Sequence, residues 1–188
     1  MKFETIIENY KTLAVCPEKE VLEQYCKEQE KDGCFLSVLQ ESAKGGEDFR
    51  FLQCCIVRVL AVGFWYERDK RYENAVKRGI DGWKQMNFQG AANWFHNSIL
   101  IPRMLLDTLL FMGDCLDEEQ KQFLVSEVSN AYTEERYIYD IGANIIWTNT
   151  ISLHLACYLK DERFFLQAAD RINEEMRFAD AHSFSDLE

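Results

Sequence analysis

Apolar residues recur along this chain at three- and four-residue intervals, and no stretch shows the alternation of a half-buried strand. The spacing predicts eight helices. The first sets Phe3, Ile6, Ile7, Tyr10 and Leu13 on one face. The second is expected to open at Pro17, carry Val21, Leu22, Tyr25 and Cys26, and stop by Gly33. A loop holding Gly45 and Gly46 leads to a third helix, from about Asp48 to Tyr66. The fourth carries Tyr72, Ala75, Val76, Ile80 and Trp83. The fifth runs through Ile101 and Pro102 to Met112 and ends at Gly113. Asp117 and Gln120 read as a capping box for the sixth, which includes Phe123, Leu124, Val128 and Tyr132. The seventh spans about Ala143 to Leu159, and the eighth, after Asp161, carries Phe165, Ala168, Ile172 and Met176.

The third, fifth and seventh helices are apolar nearly all round, whereas the fourth, sixth and eighth carry charged faces. A helix apolar on every side has to be covered on every side. The expected arrangement is therefore two layers of antiparallel hairpins, odd helices inside and even helices outside, curved into an all-α, α/α-toroid shape. In such hairpins the odd helices run parallel and their N-termini open on one face. The segments leading into the fifth and seventh helices, GAANWFHNSILIP and DIGANIIWTN, are rich in Asn and Trp. Free N–H groups at helix N-termini suit a carboxylate, and aromatic platforms beside amide donors suit sugar rings.

Composition narrows the chemistry. The chain has 188 residues, a formal net charge of -11, and no dominant basic patch, which argues against nucleic-acid binding or an anionic membrane surface. No apolar run is long enough to suggest a membrane span; Ile145–Leu159 is broken by Asn149, Ser152 and His154. The start, MKFETIIENYK, lacks the basic-then-apolar layout of a signal peptide. Seven cysteines are scattered without a C-x-x-C pair and three histidines stand far apart, so neither a zinc site nor any other cofactor is indicated, and a reducing compartment is favoured. Leu187-Glu188 matches what a common cloning site leaves ahead of a histidine tag, which would put the natural end at Asp186 and make one helical domain of residues 1–186.

Asn93-Trp94-Phe95, followed by Ile99, Ile101-Pro102-Arg103 and Leu105, resembles the N-W-W…I-G-x-P segment of polysaccharide lyase family 8. Gly142-Ala143-Asn144 resembles that family's T-G-A-N segment, and the run from Arg58 through Tyr66, Tyr72 and Asn74 is similar to the hairpin ahead of N-W-W. The likeness covers roughly Phe49 to Met176. Phe95 stands for the second tryptophan, Ser98 for an acidic residue, Leu100 for glycine, Ile141 for threonine and Trp147 for a frequent aspartate.

The resemblance implies cleavage of uronic-acid-containing polysaccharide by β-elimination, with Asn144 as the catalytic amide that neutralises the substrate carboxylate. It implies a substrate-binding patch of Asn93, Trp94 and Phe95. His96, adjacent to the aromatic pair, is a candidate to line the site and Arg58 a candidate to reach it from the third helix; a solvated loop histidine and an outward ion pair are the alternatives. The family's tyrosine and histidine for proton transfer follow a D-G-S-F-like segment, before which this chain is expected to stop. The chain is then an incomplete toroid whose partners are an anionic polysaccharide and the remainder of the lyase, and which turns over little alone. Relatives are usually exported, whereas the thiols and the N-terminus point inward, so location stays open.

Other readings stand beside this one. Asn93 and Asn144 as helix caps, Trp94 and Phe95 as core aromatics and His154 as a bonded core histidine would fit a scaffold that binds a protein partner. Another α/α-toroid carbohydrate enzyme, such as a glycoside hydrolase, would need a carboxylate pair across the cleft.

Overall fold

The computed structural model describes residues 2–35, 49–85, 94–130 and 142–182, with side chains as far as Arg177. Among these residues there are eight α-helices and no strand: α1 (Phe3–Lys11), α2 (Lys19–Glu28), α3 (Phe49–Glu67), α4 (Lys70–Gln85), α5 (Ile101–Met112), α6 (Glu118–Asn130), α7 (Ala143–Leu159) and α8 (Glu162–His182). The two layers form as the alternation demands. α3 packs on α5 and α5 on α7, while α4, α6 and α8 each cover the helix before them and α4 also touches α6. α5 buries every residue except Arg103 and Met104, whereas Ala168 is the only buried residue among the described side chains of α8.

α1 and α2 close the ends of this arrangement. α1 lies against α7 and α5, and α2 against α3 and α4. α2 starts at Lys19, two residues later than Pro17 suggested, because Glu18 is extended. Its carboxylate and that of Glu20 then sit at the positive end of the helix dipole. By length and composition alone α3 is long and apolar enough to cross a membrane, contrary to the expectation that no run in the chain is. It is instead wrapped by α2, α4 and α5, as a core helix of a layered fold must be.

One buried polar group joins three elements. Gln53 of α3 is 0% exposed, and its Oε1 accepts from the Phe35 amide while Nε2 donates to the carbonyls of Gly33 and Gly79. Gly33 has φ +88, and a Cβ there would meet the Arg78 carbonyl oxygen at 1.9 Å. The turn after α2 can therefore sit on the α4 backbone only because Gly33 has no side chain.

The expected capping box at α6 is half present. The Gln120 amide donates to Asp117 Oδ1 at 2.8 Å. The Gln120 side chain turns away from its own helix end to the Lys77 carbonyl and Asp81 of α4. Packing between the outer helices claims the amide that a local box would have used.

Candidate functional site

The segment before α5 is a π-helical turn, His96–Leu100, that runs straight into the α-helix. Pro102 supplies the reason: it has no N–H for the carbonyl four residues back, and its ring would crowd that carbonyl in a regular α-turn. The wider turn sets Phe95, Ile99, Arg103 and Asp107 down one side of the segment. On α7, Asn144, Trp147, Ile151 and His154 follow helical spacing and share a face. The two stripes meet. Phe95 and Trp147 pack edge to face with centroids 5.6 Å apart, and Trp94 packs on Phe95 at 5.8 Å. Trp94 remains 50% exposed and Trp147 43% exposed. Large aromatics left half in water at one rim present open ring faces.

Below the aromatics lies a pocket of about 60 Å³, walled by Ile99, Arg103, Asp107, Trp147, Thr150 and His154, with Tyr10 of α1 also reaching it. Asp107, 1% exposed, accepts a 2.6 Å hydrogen bond from the Tyr10 hydroxyl and is paired with Arg58 Nε at 2.5 Å. A carboxylate in an apolar helix requires such partners. The Tyr10 ring lies 4.2 Å from the His154 ring. Burial, and then the Asp107 charge, push the Tyr10 hydroxyl up to about 12. Burial holds His154 below its ordinary value, so the ring is neutral near pH 7, with a hydrogen bond to the Thr150 backbone. Arg103 is exposed at the rim.

α7 begins on an unusual turn. Gly142 has φ 60 and ψ -128, and its amide donates to Glu175 Oε1 of α8 at 2.8 Å. Asn144 follows as the second helical residue, partly exposed, and does not cap the helix; Gly142 holds the cap position without a side-chain bond. The hydroxyl and amide groups further along α7 return to carbonyls one turn back: Thr148 to Asn144, Asn149 to Ile145, Thr150 to Ile146 and Ser152 to Thr148. These bonds let an all-round apolar helix carry four polar residues.

The sequence-derived site residues separate into two groups. Trp94 and Phe95 come together, and the α7 stripe puts Asn144 one turn ahead of the tryptophan they meet. His96 stacks on Phe51 of α3, centroids 4.7 Å apart, and so faces the first turn of α3. Arg58 is tied to Asp107 behind the pocket. Asn93 lies outside the described residues. Trp147, Tyr10 and Arg103 were not singled out as site residues. An aspartate within LLDTLLFM was the available signal, since a charge in such a run must find a partner from elsewhere in the chain.

The model of polysaccharide lyase family 8, N-terminal α-helical domain, matches residues 35–183, and the chain belongs to that family. α1 and α2 precede the matched residues. A xanthan lyase from Paenibacillus, solved to 2.6 Å resolution, is similar in fold, with a TM-score of 0.69, 16% sequence identity and 90% of this chain covered. The match spans 19% of the length of that lyase chain. Comparison with curated protein sequences gives no match.

Proposed function

We propose that this domain supplies the substrate grip of a lyase that cleaves uronic-acid-containing polysaccharide by β-elimination. The observation that carries the reading is the aromatic trio of half-exposed Trp94 and Trp147 around the more buried Phe95, at the leading ends of α5 and α7, with Asn144 on the same α7 face. The aromatics stack against the apolar faces of sugar rings. Asn144 donates its amide to the uronate carboxylate, which spreads negative charge as the C5 proton leaves. Asn93, beside Trp94 in sequence, adds a further amide. His96 and Arg58 support the site from behind: His96 through its stack on Phe51, Arg58 by fixing Asp107. Proton transfer belongs to groups other than these, so the chain alone binds oligosaccharide and turns over little.

The test is calorimetric titration with hyaluronan, chondroitin and xanthan-derived oligosaccharides. Trp94→Ala and Trp147→Ala should each weaken binding about tenfold, as loss of roughly 1–3 kcal/mol of ring stacking implies. Asn144→Ala should weaken binding of uronate-bearing but not of neutral oligosaccharides. If Asn144→Ala only lowers stability and sugar affinity is unchanged, the scaffold reading takes over. Rapid formation of unsaturated uronate by the chain alone would show that the proton-transfer groups are misassigned.

A further inference from the structure

The outer layer carries a second groove, between α2 and α4, of about 710 Å³. Four cations line it, Lys27, Arg71, Lys77 and Arg78, with Asn74 among them and Glu23 as the one lining carboxylate. This is a local reversal of sign in a chain of net charge -11. Two further carboxylates stand behind the lining. Asp69 takes Arg71 in a forked pair at 2.6–3.2 Å, and Glu73, 5% exposed, is held between Lys70 and Lys77. Counting Glu23, Asp69 and Glu73 against the four lining cations still leaves the groove positive. Lys27 and Arg78 are exposed and have no ion-pair partner among the described residues.

We propose that this groove binds an anionic oligosaccharide strand, carrying carboxylate or sulfate groups, away from the Asn144 cleft. The inference rests on the polysaccharide reading above for its choice of ligand. The volume falls in the range of roughly 300–1,000 Å³ that holds ligands of a few rings. The lining offers no aromatic platform, so recognition here is by charge and hydrogen bonds, unlike the stacking rim of α5 and α7. Arg71, Asn74 and Arg78 follow one another at helical spacing on α4; Asp69 holds the Nε–Nη2 fork of Arg71, with Glu23 at 3.6 Å, so Arg78 supplies the open fork beside an amide. Forked donors match the paired oxygens of carboxylate and sulfate, and the Asn74 amide matches sugar hydroxyls. Asp69 holds the Arg71 guanidinium in one orientation before any ligand arrives, which lowers the ordering cost of binding. α2 and α4 pack on α3, and α7 lies two helices further along the inner layer. A strand held here would keep a long polymer near the domain and raise its effective concentration at the cleft.

Heteronuclear NMR titration of the whole chain separates the two sites. The probes are a chondroitin sulfate octasaccharide, a hyaluronan octasaccharide, cello-octaose as the neutral control and a glutamate octapeptide as an anion of another class. The expected result is shifts at the Asn74 side-chain amide and around Arg78 with the two anionic sugars and none with cello-octaose. Lys27→Ala and Arg78→Ala together should weaken that binding about tenfold, and Trp94→Ala should leave it unchanged. Shifts confined to Trp94, Trp147 and Asn144 would overturn the groove while sparing the cleft. Equal shifts with the glutamate peptide would overturn it in favour of an acidic protein segment. Groove shifts with anionic sugars and no cleft shifts would sustain this proposal and remove the cleft reading.

Discussion

The Tyr10 hydroxyl donates a 2.6 Å hydrogen bond to Asp107 Oδ1 across 97 residues of sequence. It joins a helix that precedes the family-matched residues to the middle of the most buried helix of the inner layer. Asp107 receives Arg58 of α3 on its other oxygen, so three helices are fixed through one carboxylate. The same carboxylate walls the pocket beneath Trp147.

Tyr10→Phe keeps the ring against His154 and removes only the hydrogen bond. Unfolding in urea should show a loss of about 1.5–3 kcal/mol, the range for a bond to a charged group. Asp107→Asn should cost more, about 3 kcal/mol, because Arg58 loses its counter-charge; the partial exposure of Arg58 keeps the figure at the low end of the range for buried pairs. An unchanged urea midpoint for Tyr10→Phe would mean that α1 is not held through this bond.

His154 should make stability fall on mild acidification. Its folded value lies below the ordinary 6.5, so the unfolded chain takes the proton first as pH drops below about 6.5. Stability is then greatest above that pH and declines beneath it, before the paired carboxylates Asp69 and Glu73, which are held below their ordinary values, begin to protonate. His154→Gln should flatten this limb in urea midpoints measured between pH 5 and 7. In alkali the sign reverses: Tyr10, at about 12 when folded against 10 when unfolded, loses stability as pH rises from 10 toward 12. Tyr10→Phe should remove its share of that decline.

Gln53→Leu fills a similar volume but strands the Phe35 amide, and it takes one donor from the Gly33 carbonyl, which keeps Gln29 Nε2, and from the Gly79 carbonyl, which keeps its bond within α4. One buried amide left without a partner costs about 1–3 kcal/mol, and that is the loss expected of the variant. Thermal unfolding measures it. A loss below 1 kcal/mol would mean that water reaches the turn.

Gly142→Ala should cost about 1–3 kcal/mol through backbone strain alone, since a Cβ at Gly142 would meet nothing within 4 Å. The change also shifts the first turn of α7, so oligosaccharide affinity should fall with stability. Ala143→Gly, which leaves the φ of Gly142 alone, is the control and, at the first position of the helix, should lose less than the roughly 0.5–1 kcal/mol that a glycine costs in a helix interior.

The hydrophobic period located most of the elements. The seventh helix, expected at about Ala143 to Leu159, is α7 with those limits, and the third, expected from about Asp48 to Tyr66, is α3 at Phe49–Glu67. Such boundaries are legible because burial demands are local and repeat every turn. Gly33 was read as a stop and proved to be a contact point, because its role depends on Arg78, which lies far along the chain. His96 was placed at the cleft because it adjoins the aromatic pair, and Arg58 because the third helix could carry it there. The π-turn rotated His96 onto Phe51, and Asp107 drew Arg58 inward.

The sequence by itself determined that this is a two-layered, all-helical chain, since only mutual covering satisfies helices that are apolar on every side. It also marked Trp94, Phe95 and Asn144 as neighbours of two parallel helix starts. The tertiary structure alone decided which aromatic completes that group, that Trp147 is its third member, and that Tyr10, Arg58 and Asp107 brace the pocket beneath it. Those pairings join residues from separate helices, and their energies depend on distances that no local pattern along the chain encodes.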